Sequence, residues 1–275
     1  MKPILIIPVD SYFQHNTEIY NFVLKVEDVN QIQKALDIVN ESERCLSIQC
    51  DLNNIDVVSL LKMNIQSSVN IYINCVFSGD LLSLLKNMES SEKHKQTPFI
   101  TYLFPVDTPN LTILLKILSS CGYKSGLQID WEKSINPDDF IELATYSYLS
   151  PVPHAQIEPF GFIKQEICDK KRFVDINKFY YNSPIYFAHI LPNGNVYVKS
   201  EFPELNKLIC NSLEELSQFN YDDISMEYKK LRFYNHFDVE DKCSKCANFK
   251  ICSGIFLRRF NNCQETMSNI YEILF

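Results

Sequence analysis

Apolar and polar positions along the first part of the chain follow two rhythms. Short apolar runs fall at 3–9 (PILIIPV), 45–50 (CLSIQC), 70–77 (NIYINCVF), 99–104 (FITYLF), 125–129 (SGLQI) and 155–158 (AQIE), and each predicts a strand. Between them, at roughly 28–41, 55–64, 80–90, 109–120 and 137–148, apolar residues recur with the period of an amphipathic helix. Helix starts are marked by Thr108 then Pro109, and by Asn136 then Pro137 with Asp138 and Asp139 in the first turn. Strand–helix units repeated at this spacing predict an α/β fold with a parallel sheet. Six units suit a partial (β/α) barrel or an open, doubly wound sheet, and the pattern alone does not separate the two.

The rhythm then changes. Residues 161–184 form a mixed, charged connector. Short β-like runs at 185–191 and 195–199 flank Asn193-Gly194, a strong hairpin signal. Ser212 followed by Leu213, Glu214 and Glu215 opens a helix with a capping box. A boundary near residue 170 follows, with the partial barrel or open sheet over 1–170 and a small cysteine-rich domain over 171–275.

Composition narrows the function. The chain has 275 residues, 46% of them hydrophobic, enough for a large core. Its net charge of −8 argues against a general nucleic-acid or anionic-membrane binder, since phosphate contacts need clustered Lys and Arg. The short basic stretches Lys170-Lys171-Arg172 and Arg258-Arg259 suit solvated faces. The N-terminal run MKPILIIPVD suits a buried strand better than a secretory signal, and no apolar run is long enough to span a bilayer. A cytoplasmic location is the expectation. With only 6 glycines and no glycine-rich phosphate cradle, nucleotide binding by that route is not expected.

A reducing compartment leaves the 10 cysteines as thiols or metal ligands. Cys45, Cys50, Cys75, Cys121, Cys168 and Cys210 are scattered singly, as small buried apolar residues would be. The other four lie in CSKCANFKICSGIFLRRFNNC, residues 243–263, with spacing C-x2-C-x5-C-x10-C. A C-x-x-C turn lets two thiolates meet one metal, and two later cysteines complete a four-thiolate site. Gly254 can supply a tight turn after the third. Cys243, Cys246, Cys252 and Cys263 are therefore the predicted ligands of one metal centre. The spacing does not choose between zinc and an iron–sulfur cluster.

This C-terminal region, with ILPNGNVYVKSEF at 190–202 and SLEEL at 212–216 before the cysteine run, resembles the SPASM domain of radical SAM peptide maturases. In that family a hairpin leads to a Cys, then to a C-x2-C-x5-C-x3-C run and a last downstream Cys, which together hold two auxiliary 4Fe-4S clusters. Here Val198 and Lys199 follow Val196-Tyr197 where the family places a Cys, and Phe256 stands at the x3 position after Cys252. Those positions belong to the family's first auxiliary cluster. Cys243, Cys246, Cys252 and Cys263 match the ligands of the second one by one, so one cluster is lost as a set and one is kept as a set. The C-x3-C-x2-C triplet that cleaves S-adenosylmethionine in radical SAM enzymes is absent, as is the family's Gly-Gly-Glu contact. The resemblance thus implies a pseudo-radical-SAM protein with no S-adenosylmethionine cleavage and one 4Fe-4S cluster, or one zinc ion. It further implies an accessory role beside a true radical SAM maturase and its ribosomally made precursor peptide, by docking, scaffolding or electron relay.

Other residues carry weaker signals. Asp10, Asp51, Asp107, Asp130 and Glu158 follow predicted strands, and in a barrel they would ring the mouth where such folds build active sites. Acid–base chemistry or a divalent ion there would make the protein an enzyme. Turn chemistry after a strand is the simpler account of the same residues. His154, His189 and His236 lack ligand-like spacing and suit structural hydrogen bonding, with His236 the one substitute ligand by position. Trp131 suits either a binding surface or the core.

Overall fold

The structure, a computed structural model, describes residues 2–14, 17, 19–61, 63, 65–90, 99–129, 133–169, 174–199, 206–233, 243, 245–252, 260 and 262–274. Seven strands come first: β1 (Ile4–Pro8), β2 (Phe22–Val26), β3 (Cys45–Asp56), β4 (Asn70–Val76), β5 (Ile100–Pro105), β6 (Lys124–Gln128) and β7 (Ile157–Glu158). Helices α1 (Gln31–Glu41), α2 (Val57–Leu60), α3 (Leu81–Ser90), α4 (Leu111–Ser120) and α5 (Pro137–Leu149) alternate with them from β2 onward. Then follow α6 (Phe160–Cys168), α7 (Ile176–Phe179), β8 (Phe187–Ile190), β9 (Val196–Val198), β10 (Lys207–Cys210), α8 (Leu213–Gln218), α9 (Tyr221–Phe233), α10 (Phe249–Cys252) and α11 (Cys263–Leu274).

The ten strands among the described residues form one sheet in the order β10-β9-β8-β1-β2-β3-β4-β5-β6-β7. Neighbours from β8 through β1 to β7 are parallel, and β9 and β10 add antiparallel. The order never reverses between β1 and β7. The chain then crosses to the other side of β1, where β8, β9 and β10 follow, and β7 and β10 are the edge strands among the described residues. Right-handed crossovers in one direction put the helices on one face. Apolar residues of α1, α4 and α5 accordingly share one core with Leu5, Ile7, Leu24, Ile48 and Ile73. The pleat sends intervening residues to the opposite face, where Ile6, Val23 and Phe187 form a second, small cluster.

The chain change near residue 170 is one of topology within a continuous sheet. β8 pairs with β1 in register Ile4↔Phe187, Leu5↔Ala188 and Ile6↔His189, and α11 packs along α5. The Asn193-Gly194 hairpin forms between β8 and β9, with Gly194 at φ 84. Asn136 caps α5 by accepting the Asp138 N–H at 3.1 Å, and Ser212 caps α8 by accepting that of Glu215 at 3.2 Å. Helix α4 starts two residues later than Thr108-Pro109 suggests. Its cap is Asn110, held in the left-handed region at φ 54, which Asn tolerates better than most residues. Strands β2 and β10 are not apparent in the sequence pattern.

Candidate functional site

The cysteine-rich corner is built from two consecutive turns and two helix ends. The Cys246 N–H donates to the Cys243 carbonyl at 3.2 Å, and the Phe249 N–H donates to that of Cys246 at 3.2 Å, which leads into α10. Cys252 ends α10 and Cys263 begins α11. Cys243 and Cys252 are buried, and Cys246 and Cys263 half-buried. Asn248, buried between the turns, donates from its amide to Ser268 Oγ at 2.8 Å and so fastens the knuckle to α11. Phe260 packs on Phe140 of α5 at 5.2 Å, and Met267 and Ile270 are fully enclosed, so the corner rests on the main core.

No disulfide joins any of the ten cysteines. Four thiols, two of them withdrawn from water, are of the donor type that thiophilic metals take. Among the described residues no three His, Cys, Asp or Glu side chains gather closely enough to hold an ion. The donor chemistry fits a metal, and a site on these cysteines requires their side chains to draw together. His236 and Gly254 lie outside the described residues. Of the scattered cysteines, Cys45, Cys50, Cys75 and Cys210 are buried, as expected of packing residues, and burial pushes the Cys45 thiol up to about 11. Cys121 is half-buried and Cys168 exposed.

The five acidic residues separate. Asp10 is exposed and bonds Lys34 at 2.8 Å and Gln31 at 2.6 Å, which anchors α1, and the Lys34 hydrogen bond holds its carboxyl below the usual range. Asp107 is likewise exposed, bonded to Lys133 at 2.6 Å and lowered by it. Asp130 and Trp131 lie outside the described residues. Asp51 is on the opposite face of the sheet and nearly saturated. It meets Lys25 at 3.2 Å, and accepts from Asn74 at 2.5 Å and from Gln49 at 3.3 Å.

Glu158 ends β7 and is 7% exposed. Its Oε2 accepts the Phe162 N–H at 2.9 Å, in the first turn of α6. Burial outweighs this bond and the pull of Lys124, and pushes the carboxyl up to about 7. Its charge in turn raises Tyr72, Tyr148 and Tyr180 beyond the effect of their own burial. Gly126 of β6 permits the approach: a Cβ there would lie 2.6 Å from the Glu158 carbonyl oxygen.

The opposite face, where a barrel of this order would hold substrate, is covered by the chain's own connector. The Tyr72 ring meets Phe179 at 5.2 Å and Tyr181 at 6.0 Å. The Tyr181 hydroxyl and Ser47 Oγ share a hydrogen bond of 2.6 Å, and its carbonyl lies 3.1 Å from His189 Nε2. Tyr180 donates to the Leu127 carbonyl at 2.9 Å. Tyr181 has φ 55, an unfavourable conformation for a bulky residue, and is held there by these contacts. His189 is buried and neutral, pushed down to about 3 by burial and then by Lys199. Lys25, Asn74, Tyr72 and Tyr181 were not singled out by the sequence. The alternation in FVLKV at 22–26 was the available signal for Lys25.

No protein-family model, curated protein or solved structure matches the chain. Among the described residues no helix is long and apolar enough to cross a membrane.

Proposed function

We propose that the protein is a metal-carrying, non-catalytic accessory to a radical SAM maturase, and helps it modify a ribosomally made peptide in the cytoplasm. The observation that carries the non-catalytic part is the filled sheet face. Phe179 and Tyr181 lie over Tyr72, and Ile6, Val23 and Phe187 close the region beside β1, so side chains occupy the place of a substrate. Three of the acidic residues favour the same reading over an enzyme built on a carboxylate ring. Asp10 and Asp107 are spent in exposed ion pairs, and Asp51 is bonded by Lys25, Asn74 and Gln49.

Support for the metal comes from the cysteine corner, whose four thiols sit on two turns and two helix ends fastened by Asn248. The residues that would hold it are Cys243, Cys246, Cys252 and Cys263. A 4Fe-4S cluster there would supply one-electron transfer, whereas zinc would supply structure alone. With four protein thiolates, either group is closed to substrate, which suits a docking or relay role.

Anaerobic purification with iron, zinc and acid-labile sulfide analysis tests this reading. About four irons and four sulfides per chain, lost in a Cys243→Ser/Cys252→Ser variant, support a cluster. About one zinc without sulfide leaves a zinc-stabilised peptide- or protein-binding module. Protected protein containing neither removes the metal from the account.

A further inference from the structure

Away from the cysteine corner, a cavity of about 420 Å³ lies between α5, the following loop and α6. Ser147 lines it from α5, His154 and Gln156 from the loop, and Gly161, Lys164 and Gln165 from α6. This volume lies within the usual range for small-ligand sites.

Local features give the cavity a definite chemistry. Among the described residues, the side chains of Ser147, Gln156, Lys164 and Gln165 make no hydrogen bond or ion pair with one another or with a neighbour. His154 is fixed: its Nδ1 lies 2.9 Å from the Val152 carbonyl and its ring packs on Tyr146 at 4.9 Å. Gly161 has a packing reason to lack a side chain. A Cβ there would fall 1.8 Å from Gln156 Nε2, so the bare backbone lets that amide lie against the first turn of α6. Although the chain carries a net charge of −8, among the described residues no carboxylate lines the cavity and Lys164 is its one ammonium. Leu149 and Val152, neighbours in sequence of the lining residues, are each 60% exposed.

We infer that this cavity binds a carboxylate carried next to an apolar group, with Lys164 as its counter-ion and the Gln156 and Gln165 amides as donors. One ammonium matches a single negative charge. A phosphate dianion is better served by several cations or an Arg fork. The apolar part of the ligand would rest on Tyr148, which also lines the cavity. A small carboxylic acid and an acidic residue flanked by apolar residues in a peptide present the same chemistry. The peptide source rests on the docking role proposed above, and the small-molecule source does not.

Isothermal titration calorimetry on the full chain tests this with N-acetylglutamate, N-acetylleucine, a blocked leucine–glutamate–leucine tripeptide and inorganic phosphate. Saturable binding of the carboxylates, with phosphate weaker, is expected. Lys164→Glu should weaken carboxylate binding by about tenfold or more, Lys164→Arg should retain it, and Gly161→Ala should weaken it by displacing Gln156. Lys164 is exposed, so its variants should melt like the parent. Tighter binding of the tripeptide than of the acetylated amino acids supports the peptide source, and equal binding supports the small-molecule source. No saturable carboxylate binding, equal affinity in Lys164→Glu, or phosphate binding as tight as carboxylate overturns the inference. Because the metal analysis reads the cysteines and the titration reads Lys164, failure of one is distinguishable from failure of the other.

Discussion

Glu158 and His189 are both 7% exposed, and burial shifts each toward its neutral form, with opposite consequences for stability. Glu158 holds its proton more tightly in the folded chain, up to about 7 against 4.5. The native state therefore binds more protons in that window, and stability falls as pH rises through it. His189 is pushed down to about 3 from 6.5, so the unfolded chain binds more protons there, and stability falls as pH drops through that window. In urea unfolding, Glu158→Gln should gain on the parent between pH 4 and pH 8, approaching about 3 kcal/mol. His189→Asn should flatten the acid limb, a contribution of about 5 kcal/mol in the parent. Parallel pH profiles for parent and variant would contradict the burial of that group. The sequence marks Glu158 only as an acid after a strand. Its desolvation comes from α6, Gly126 and the tyrosines around it.

At the scale of elements, local chemistry and tertiary packing divide the control. Asn136 and Ser212 cap their helices as their neighbours suggest, because capping depends on residues two or three positions away. Asn110 displaces Thr108 as the cap of α4 because the turn after β5 demands a left-handed residue. Strand β2 escapes notice because it carries Lys25, a residue explained only by Asp51 and Glu27 facing it. The β6–β7 pair depends on Gly126, whose added Cβ would also come within 2.7 Å of Glu158 Cβ. Backbone must move to admit it, so Gly126→Ala should cost about 1–3 kcal/mol in denaturant unfolding. A neutral result would mean that β7 shifts freely at the sheet edge.

For the whole molecule, the decisive contacts join residues far apart in the chain. β8 pairs with β1, Tyr181 bonds Ser47, and Phe260 packs on Phe140. The segment 1–170 therefore lacks the strand that completes its β1 edge, the cover of its opposite face and the partner of α5. Expressed alone, it should bind hydrophobic dye and unfold without a sharp transition. A cooperative melt with ordered near-ultraviolet dichroism would instead make residues 1–170 a self-sufficient domain.

By itself the sequence determined the α/β class, the mostly parallel sheet, the hairpin at Asn193-Gly194, the caps at Asn136 and Ser212, and the grouping of four cysteines in one short segment. These follow from periodicity, backbone preference and spacing, which act over a few residues. Tertiary structure alone decided that β8 pairs with β1 and joins the later strands to the same sheet, since pairing across the chain leaves no local signature. It alone decided that Tyr180 and Tyr181 cover the face a substrate would need, and that Glu158 is enclosed while Asp10 and Asp107 face water. A carboxylate after a strand has the same local sequence in both cases, and what differs is the distant chain that packs against it.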